Sequence, residues 1–88
     1  MTAYRIEFLP SARRDLVALP KDVQRRIARR IDSLSDNPRP SGGAVLRGED
    51  GLVRIRVGDY RVIYRVNDRL FNVLVVKIGH RRQAYRRR

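Results

Sequence analysis

Cysteine is absent from all 88 residues, so neither a disulfide nor a thiolate metal site can staple the chain. A reducing, cytoplasmic setting is compatible with that composition. Tryptophan is missing as well, which leaves an aliphatic core. With one histidine, His80, and only nine acidic residues, ligands for a metal are too few and too scattered, and neither a metal nor a cofactor is expected. Long hydrophobic runs are also lacking. The longest, Val73 to Val76, falls far short of the ~20 apolar residues that cross a bilayer, and no N-terminal run has the character of a signal peptide. The length suits one small domain spanning residues 1–88, with a single core.

Positive charge is what the chain has in excess. Lysine and arginine total 21, giving a formal net charge of +12, and 19 of the 21 are arginine. Guanidinium is planar and grips phosphate or carboxylate with two parallel hydrogen bonds, whereas lysine acts as a compact point charge. RNA, DNA or an acidic protein is therefore the expected partner. No membrane is expected, because no segment joins the basic residues to exposed aromatic or leucine anchors.

The chain is organised around Leu52 to Val66, LVRIRVGDYRVIYRV. Two runs alternating apolar and basic residues flank Gly58-Asp59, and a two-residue connection with glycine first predicts a β-hairpin of the II′ kind. That turn sets Val57 opposite Tyr60, Arg56 opposite Arg61, Ile55 opposite Val62, Arg54 opposite Ile63 and Val53 opposite Tyr64. One face then carries Val53, Ile55, Val57, Tyr60, Val62, Tyr64 and Val66. Arg54, Arg56, Arg61 and Arg65 gather on the other. Arginines facing one another across strands repel, and neither strand offers that face a carboxylate. Such density exceeds what solubility requires and points to a polyanion.

The remaining elements are predicted from periodicity. Residues 3–8 alternate as a strand, with Tyr4, Ile6 and Phe8 inward. Pro10-Ser11 open a short helix bearing Ala12, Leu16 and Leu19 and ending near Pro20. A second helix runs from Pro20 to about Asp36, burying Val23, Ile27, Ile31 and Leu34 and turning Arg25, Arg26, Arg29 and Arg30 to solvent. Two prolines and four glycines within 37–51 mark a loop or irregular edge that Val45-Leu46 tack down. After strands at Leu52–Val57 and Tyr60–Val66 and a turn at Asn67-Asp68, a last strand covers Leu70 to Ile78. Strict alternation gives it Leu74, Val76 and Ile78 on one side and Phe71, Val73 and Val75 on the other, so it is central in its sheet. Gly79-His80-Arg81-Arg82 leave the sheet. The class is α+β, in the order β-α-α-β-β-β with an antiparallel three-stranded meander and a short C-terminal tail.

Antiparallel pairing brings the end of the last strand beside Arg61, so His80, Arg81 and Tyr85 are expected to approach Arg54, Arg56 and Arg61. Guanidiniums with an imidazole and a phenol suit a phosphodiester, whose transition state gathers negative charge on the phosphorane oxygens. RNA supplies its own nucleophile in the 2′-hydroxyl.

LRG at Leu46 to Gly48, GDYRVIYRV at Gly58 to Val66 and GHRRQAYR at Gly79 to Arg86, in this element order, resemble the RelE toxins of bacterial and archaeal toxin–antitoxin pairs. The resemblance spans nearly the whole chain. It implies a ribosome-dependent endoribonuclease cutting mRNA by 2′-hydroxyl attack on the adjacent phosphate, held in check by a cognate acidic antitoxin in a heteromeric complex. It further implies that Arg61 and Arg81 hold the scissile phosphate, that Tyr85 stacks on a base or orients the nucleophile, and that Arg47 contacts RNA backbone; Arg65 and Arg82 extend that contact. Some RelE toxins carry lysines where this chain has Arg54 and Arg56. Arginine is a poor general base, which makes His80 the candidate proton carrier. Two other functions fit the same charge: a ParE-like inhibitor of DNA gyrase that cuts nothing, and a basic RNA-binding module without catalysis.

Overall fold

A computed structural model describes residues 3–40, 43–45 and 51–80 of the chain. The elements in order are β1 (Arg5–Phe8), α1 (Pro10–Val17), α2 (Lys21–Ser33), β2 (Ala44–Val45), β3 (Leu52–Val57), β4 (Tyr60–Asn67) and β5 (Asn72–His80). The strands form one five-stranded sheet in the order β1-β5-β4-β3-β2. This is the expected α+β arrangement with two additions: β1 lies parallel to β5, and Ala44–Val45 pairs with Arg54 and Val53 as a short edge strand. A two-residue edge strand offers little template for pairing with another chain.

The hairpin forms with the register its turn demands. All five expected pairs from Val57–Tyr60 to Val53–Tyr64 are present. Gly58 has φ +60 while Asp59 is not among the residues of positive φ, the pattern of a II′ rather than a I′ turn. A Cβ at Gly58 would come within 2.8 Å of an Arg26 guanidinium nitrogen, so glycine also makes room for α2 to reach over the turn.

Both helices cover one face of the sheet. From α2, Ile27, Ile31 and Leu34 are buried with Val23 packed beside them, and α1 contributes Ala12 with Leu16 just beyond it. They meet Val53, Ile55, Val62, Tyr64, Val66, Val73, Val75 and Ile78 from the sheet. Pro20 lies one residue ahead of α2, as its N-cap, since its fixed φ suits a helix start and its missing N–H is not needed there. Tyr64 is fully buried, and its hydroxyl donates to Pro38 O at 2.7 Å, tying β4 to the segment after α2. Burial pushes this phenol up to about 12.

The last strand departs from strict alternation. Tyr64 pairs with Val75 but Ile63 pairs with Lys77, so Val76 is an extra residue in a β-bulge. A bulge reverses the facing of everything beyond it. Ile78 therefore joins Val73 and Val75 in the core instead of lying on the opposite side with Leu74 and Val76, and Lys77 escapes burial. The strand also starts at Asn72 and runs through Gly79 to His80, two residues later at each end than the pattern suggests.

Candidate functional site

In β3 and β4 the face away from the helices carries Arg54, Arg56, Arg61 and Arg65, as their alternation requires. Arg56 and Arg61 are direct cross-strand partners at the hairpin end, their Cα atoms about 4.5–5.5 Å apart by antiparallel geometry. Arg54 follows two residues along β3. Arg61 and Arg54 are half-buried, Arg56 and Arg65 exposed. The Arg61 Nε is buried and makes no hydrogen bond itself, while the side chain is engaged through other contacts. Partial burial lowers the local dielectric, which strengthens the field these cations present to an anion.

Gly79 of β5 is the cross-strand partner of Arg61 on its other side, so that strand position itself carries no side chain against Arg61. This is the juxtaposition expected of the hairpin and the last strand. His80 is placed differently from expectation. It pairs with Tyr60, their rings meeting edge to face with centroids 5.6 Å apart, and so shares the helix-side face rather than the arginine face. The cause is register: residues 79 and 80 alternate, and the bulge at Val76 gives the arginine side to glycine. His80 sits at the rim, one residue from the position facing Arg61. Arg47, Arg81, Arg82 and Tyr85 lie outside the described residues.

Arg65 belongs to the other end of the sheet. It lies four residue steps along β4 from Arg61, about 13 Å in an extended strand. It lines a shallow depression of about 340 Å³ with Gly51, Val66, Asn67, Asp68 and Arg69. The Asp68 carboxylate is committed to Arg39, at 3.1 and 2.9 Å, and to the Tyr4 hydroxyl at 2.7 Å. The Arg39 hydrogen bonds hold this carboxyl below the usual carboxylate range. Glu7, the carboxylate that β1 adds to the arginine face, lies in the row of Leu74 and Arg65 and accepts from Asn72 Nδ2 at 2.6 Å. Among the described residues, the carboxylate that β1 brings to this face thus sits in the Arg65 row rather than at the Arg56–Arg61 end.

This fold has close counterparts. The family model described as the ParE toxin of the type II toxin–antitoxin system parDE matches residues 6–85. Toxin RelG of Mycobacterium tuberculosis is 33% identical over 85 residues, covering 96% of this chain and 98% of that protein. The chain belongs to the RelE family of toxins. Among solved structures, the toxin–antitoxin complex RelBE2 from M. tuberculosis contains a chain 33% identical to this toxin, with a TM-score of 0.80 over 91% of this chain and 93% of that one. The archaeal RelE–RelB complex from Pyrococcus horikoshii gives 34% identity and a TM-score of 0.77, covering 92% and 97%.

Two features of this RelE-family toxin escape a reading by periodicity. Arg26, Arg29 and Arg30 line a shallow groove of about 260 Å³ together with Ser33 and Val57, where α2 passes β3. Sequence pattern shows those arginines only as an outward helix face. Asp15 of α1 reaches the bulge, its Oδ2 accepting from Ile78 N at 3.2 Å. A signal for that bulge existed: strict alternation would seat Lys77 in the core beside Val73 and Val75.

Proposed function

We propose that this toxin is a ribosome-dependent endoribonuclease that cuts mRNA by attack of a 2′-hydroxyl on the adjacent phosphate. What supports the reading is the pairing of Arg56 with half-buried Arg61 beside Arg54, on the sheet face where Gly79 ends the approach of β5. In the reaction the O2′–P bond forms, the P–O5′ bond breaks, and the products are a 2′,3′-cyclic phosphate and a 5′-hydroxyl. Negative charge grows on the non-bridging oxygens as the phosphorane forms. Arg61 holds those oxygens, with Arg54 and Arg56 alongside, and preorganised cations aimed at developing charge are among the strongest contributors to catalysis. The guanidiniums supply the positive charge, so the mechanism calls for no metal and no protein nucleophile.

Arginine remains protonated throughout, so the proton leaving the 2′-hydroxyl and the one reaching O5′ are carried by another group. In this reading His80 is the carrier, its ring turning from Tyr60 about the end of β5 to reach the arginine face, Arg81 joins the phosphate clamp, Tyr85 stacks on a base or orients the nucleophile, and Arg47, Arg65 and Arg82 contact RNA backbone. The M. tuberculosis relative occurs in a toxin–antitoxin complex and the P. horikoshii relative in a RelE–RelB complex. By the same logic this toxin pairs with a cognate acidic antitoxin in a heteromeric complex, in the cytoplasm where ribosome and mRNA are met.

Translation of a defined message with the toxin added, followed by mapping of new 5′ ends, tests the reading. Cuts confined to ribosome-bound message are expected. Intact message accompanied by blocked DNA replication would replace it with the gyrase-inhibitor reading, which the ParE description of the matching family favours.

A further inference from the structure

Beyond Phe8, β1 no longer covers β5. The last pairing is Phe8 with Val75, closed by Leu9 N donating to Val75 O at 2.9 Å, and the chain then turns into α1. From Val76 onward β5 would expose its backbone edge there. α1 runs along that edge, and Asp15, in its second turn, caps it: Oδ2 accepts from Ile78 N at 3.2 Å and lies 3.9 Å from Lys77 Nζ. The Asp15 side chain is 27% exposed, so this contact is partly shielded from water.

The capped amide lies just past the bulge that decides what faces Arg61. With the bulge, Arg61 is opposite Gly79 and Tyr60 opposite His80. Continuing the Tyr64–Val75 pairing without the extra residue would put Ile63 opposite Val76, Val62 opposite Lys77, Arg61 opposite Ile78 and Tyr60 opposite Gly79. A branched side chain would then stand beside Arg61, and a lysine would enter the core. The apolar pattern favours the bulged register, since Ile78 is buried and Lys77 exposed. The bulge nevertheless makes the pairing irregular there, and such stretches move unless something ties them.

We propose that Asp15 is a positioning residue for RNA cleavage: by capping the Ile78 amide and drawing in Lys77, it immobilises the bulge, so that Gly79, and no branched side chain, stays opposite Arg61. The inference rests on the nuclease reading but acts through backbone geometry, without contact to substrate. Bulges recur beside active sites because they re-aim the residues that follow them.

The test pairs Asp15→Ala and Asp15→Asn with wild type in ribosome-dependent cleavage and in amide hydrogen exchange. Asp15→Ala is expected to lower kcat about tenfold with KM little changed, and to speed exchange at Ile78, Gly79 and His80 by a similar factor, the size of one lost hydrogen bond. Exchange in the buried Val62–Val66 stretch of β4 should stay as in wild type. Asp15→Asn keeps an oxygen acceptor for Ile78 N and is expected to recover most of both losses. Unchanged exchange at Ile78 to His80 in Asp15→Ala would overturn the latch, whatever the cleavage result. Faster exchange there with unchanged kcat would overturn its role in catalysis while leaving the nuclease reading intact. A wild type that cuts no message would overturn the nuclease reading, and with it the catalytic role of Asp15, with exchange still deciding the latch.

Discussion

Two surfaces of this toxin are rich in arginine, and they differ in what holds the cations. On α2, Arg25, Arg26 and Arg29 are exposed at the ends of long side chains, the last two over the shallow groove they line with Arg30, Ser33 and Val57. None of them makes an ion pair among the described residues, where the pairs are Arg5–Glu7, Arg39–Asp68 and Lys77–Asp15. On the sheet, Arg54, Arg56 and Arg61 stand at intervals imposed by strand pairing, and two of the three are half-buried. A helix face spaces its charges by flexible side chains, a sheet by its backbone. Attraction to a polyanion needs only the first; holding one phosphate along a reaction coordinate needs the second.

The sharpest way to break this comparison is to remove one cation from each surface. Arg61→Ala should lower cleavage by about 10²–10³-fold with the fold intact, the scale of losing one preorganised donor to a developing oxyanion. Arg29→Ala should change it by less than about threefold. Equal losses in single-turnover cleavage would show that the two surfaces act alike.

Stability divides them differently. Ile27 lies fully buried beneath the helix arginines, and Ile27→Ala should lower unfolding free energy by about 2–5 kcal/mol in urea titration, with the sheet arginines still in register. Loss of cleavage beyond the unfolded fraction would mean that the helix layer participates in the site.

Salt dependence gives a finer separation. If the strand arginines contact phosphates, replacing Arg54 and Arg56 by alanine should flatten the slope of log affinity against log salt by about 0.7 per lost contact with single-stranded RNA. Replacing Arg25 and Arg29 should leave the slope nearer wild type.

Tyr64 links the sheet to the segment following α2, and its substitution has a signed pH dependence. Its folded-state pKa is raised to about 12 from the model-compound 10, so stability is complete below pH 10 and falls as pH rises toward 12. Tyr64→Phe should cost about 0.5–1.5 kcal/mol near neutrality, through the lost bond to Pro38, and should lack that share of the alkaline decline in a thermal-melt series. The smallest effect is expected at Asp68. Its carboxyl is depressed chiefly by the hydrogen bonds from Arg39, so its contribution is present above the ordinary carboxylate pKa and lost as pH falls through the lowered one. Both partners are surface groups, so Asp68→Asn should alter only the acid limb of the stability profile, and slightly.

Legibility in the sequence follows the range of the interaction. The β3–β4 hairpin was readable to the residue, because Gly58-Asp59 sets the turn and alternation sets the rest within fifteen positions. The stripe Val23, Ile27, Ile31 and Leu34 was equally plain, as a 3.6-residue period shows within one segment. The facing of β5 beyond Val75 was not. Its bulge reconciles a core that wants Ile78 inside with a helix carboxylate 63 positions earlier that caps Ile78 N. The parallel contact of β1 with β5 was likewise hidden, since nothing in either strand names its neighbour across such separation.

By itself the sequence determined the α+β class, the hairpin register, the core stripes and the excess of guanidinium on one sheet face, because each follows from local turn chemistry, periodicity or composition. Only the tertiary structure decided that β1 joins β5, that Gly79 rather than its neighbours faces Arg61, and that His80 turns toward Tyr60. Those outcomes depend on burial and backbone hydrogen bonds between segments distant in the chain, whose free energy is settled only when the elements dock together.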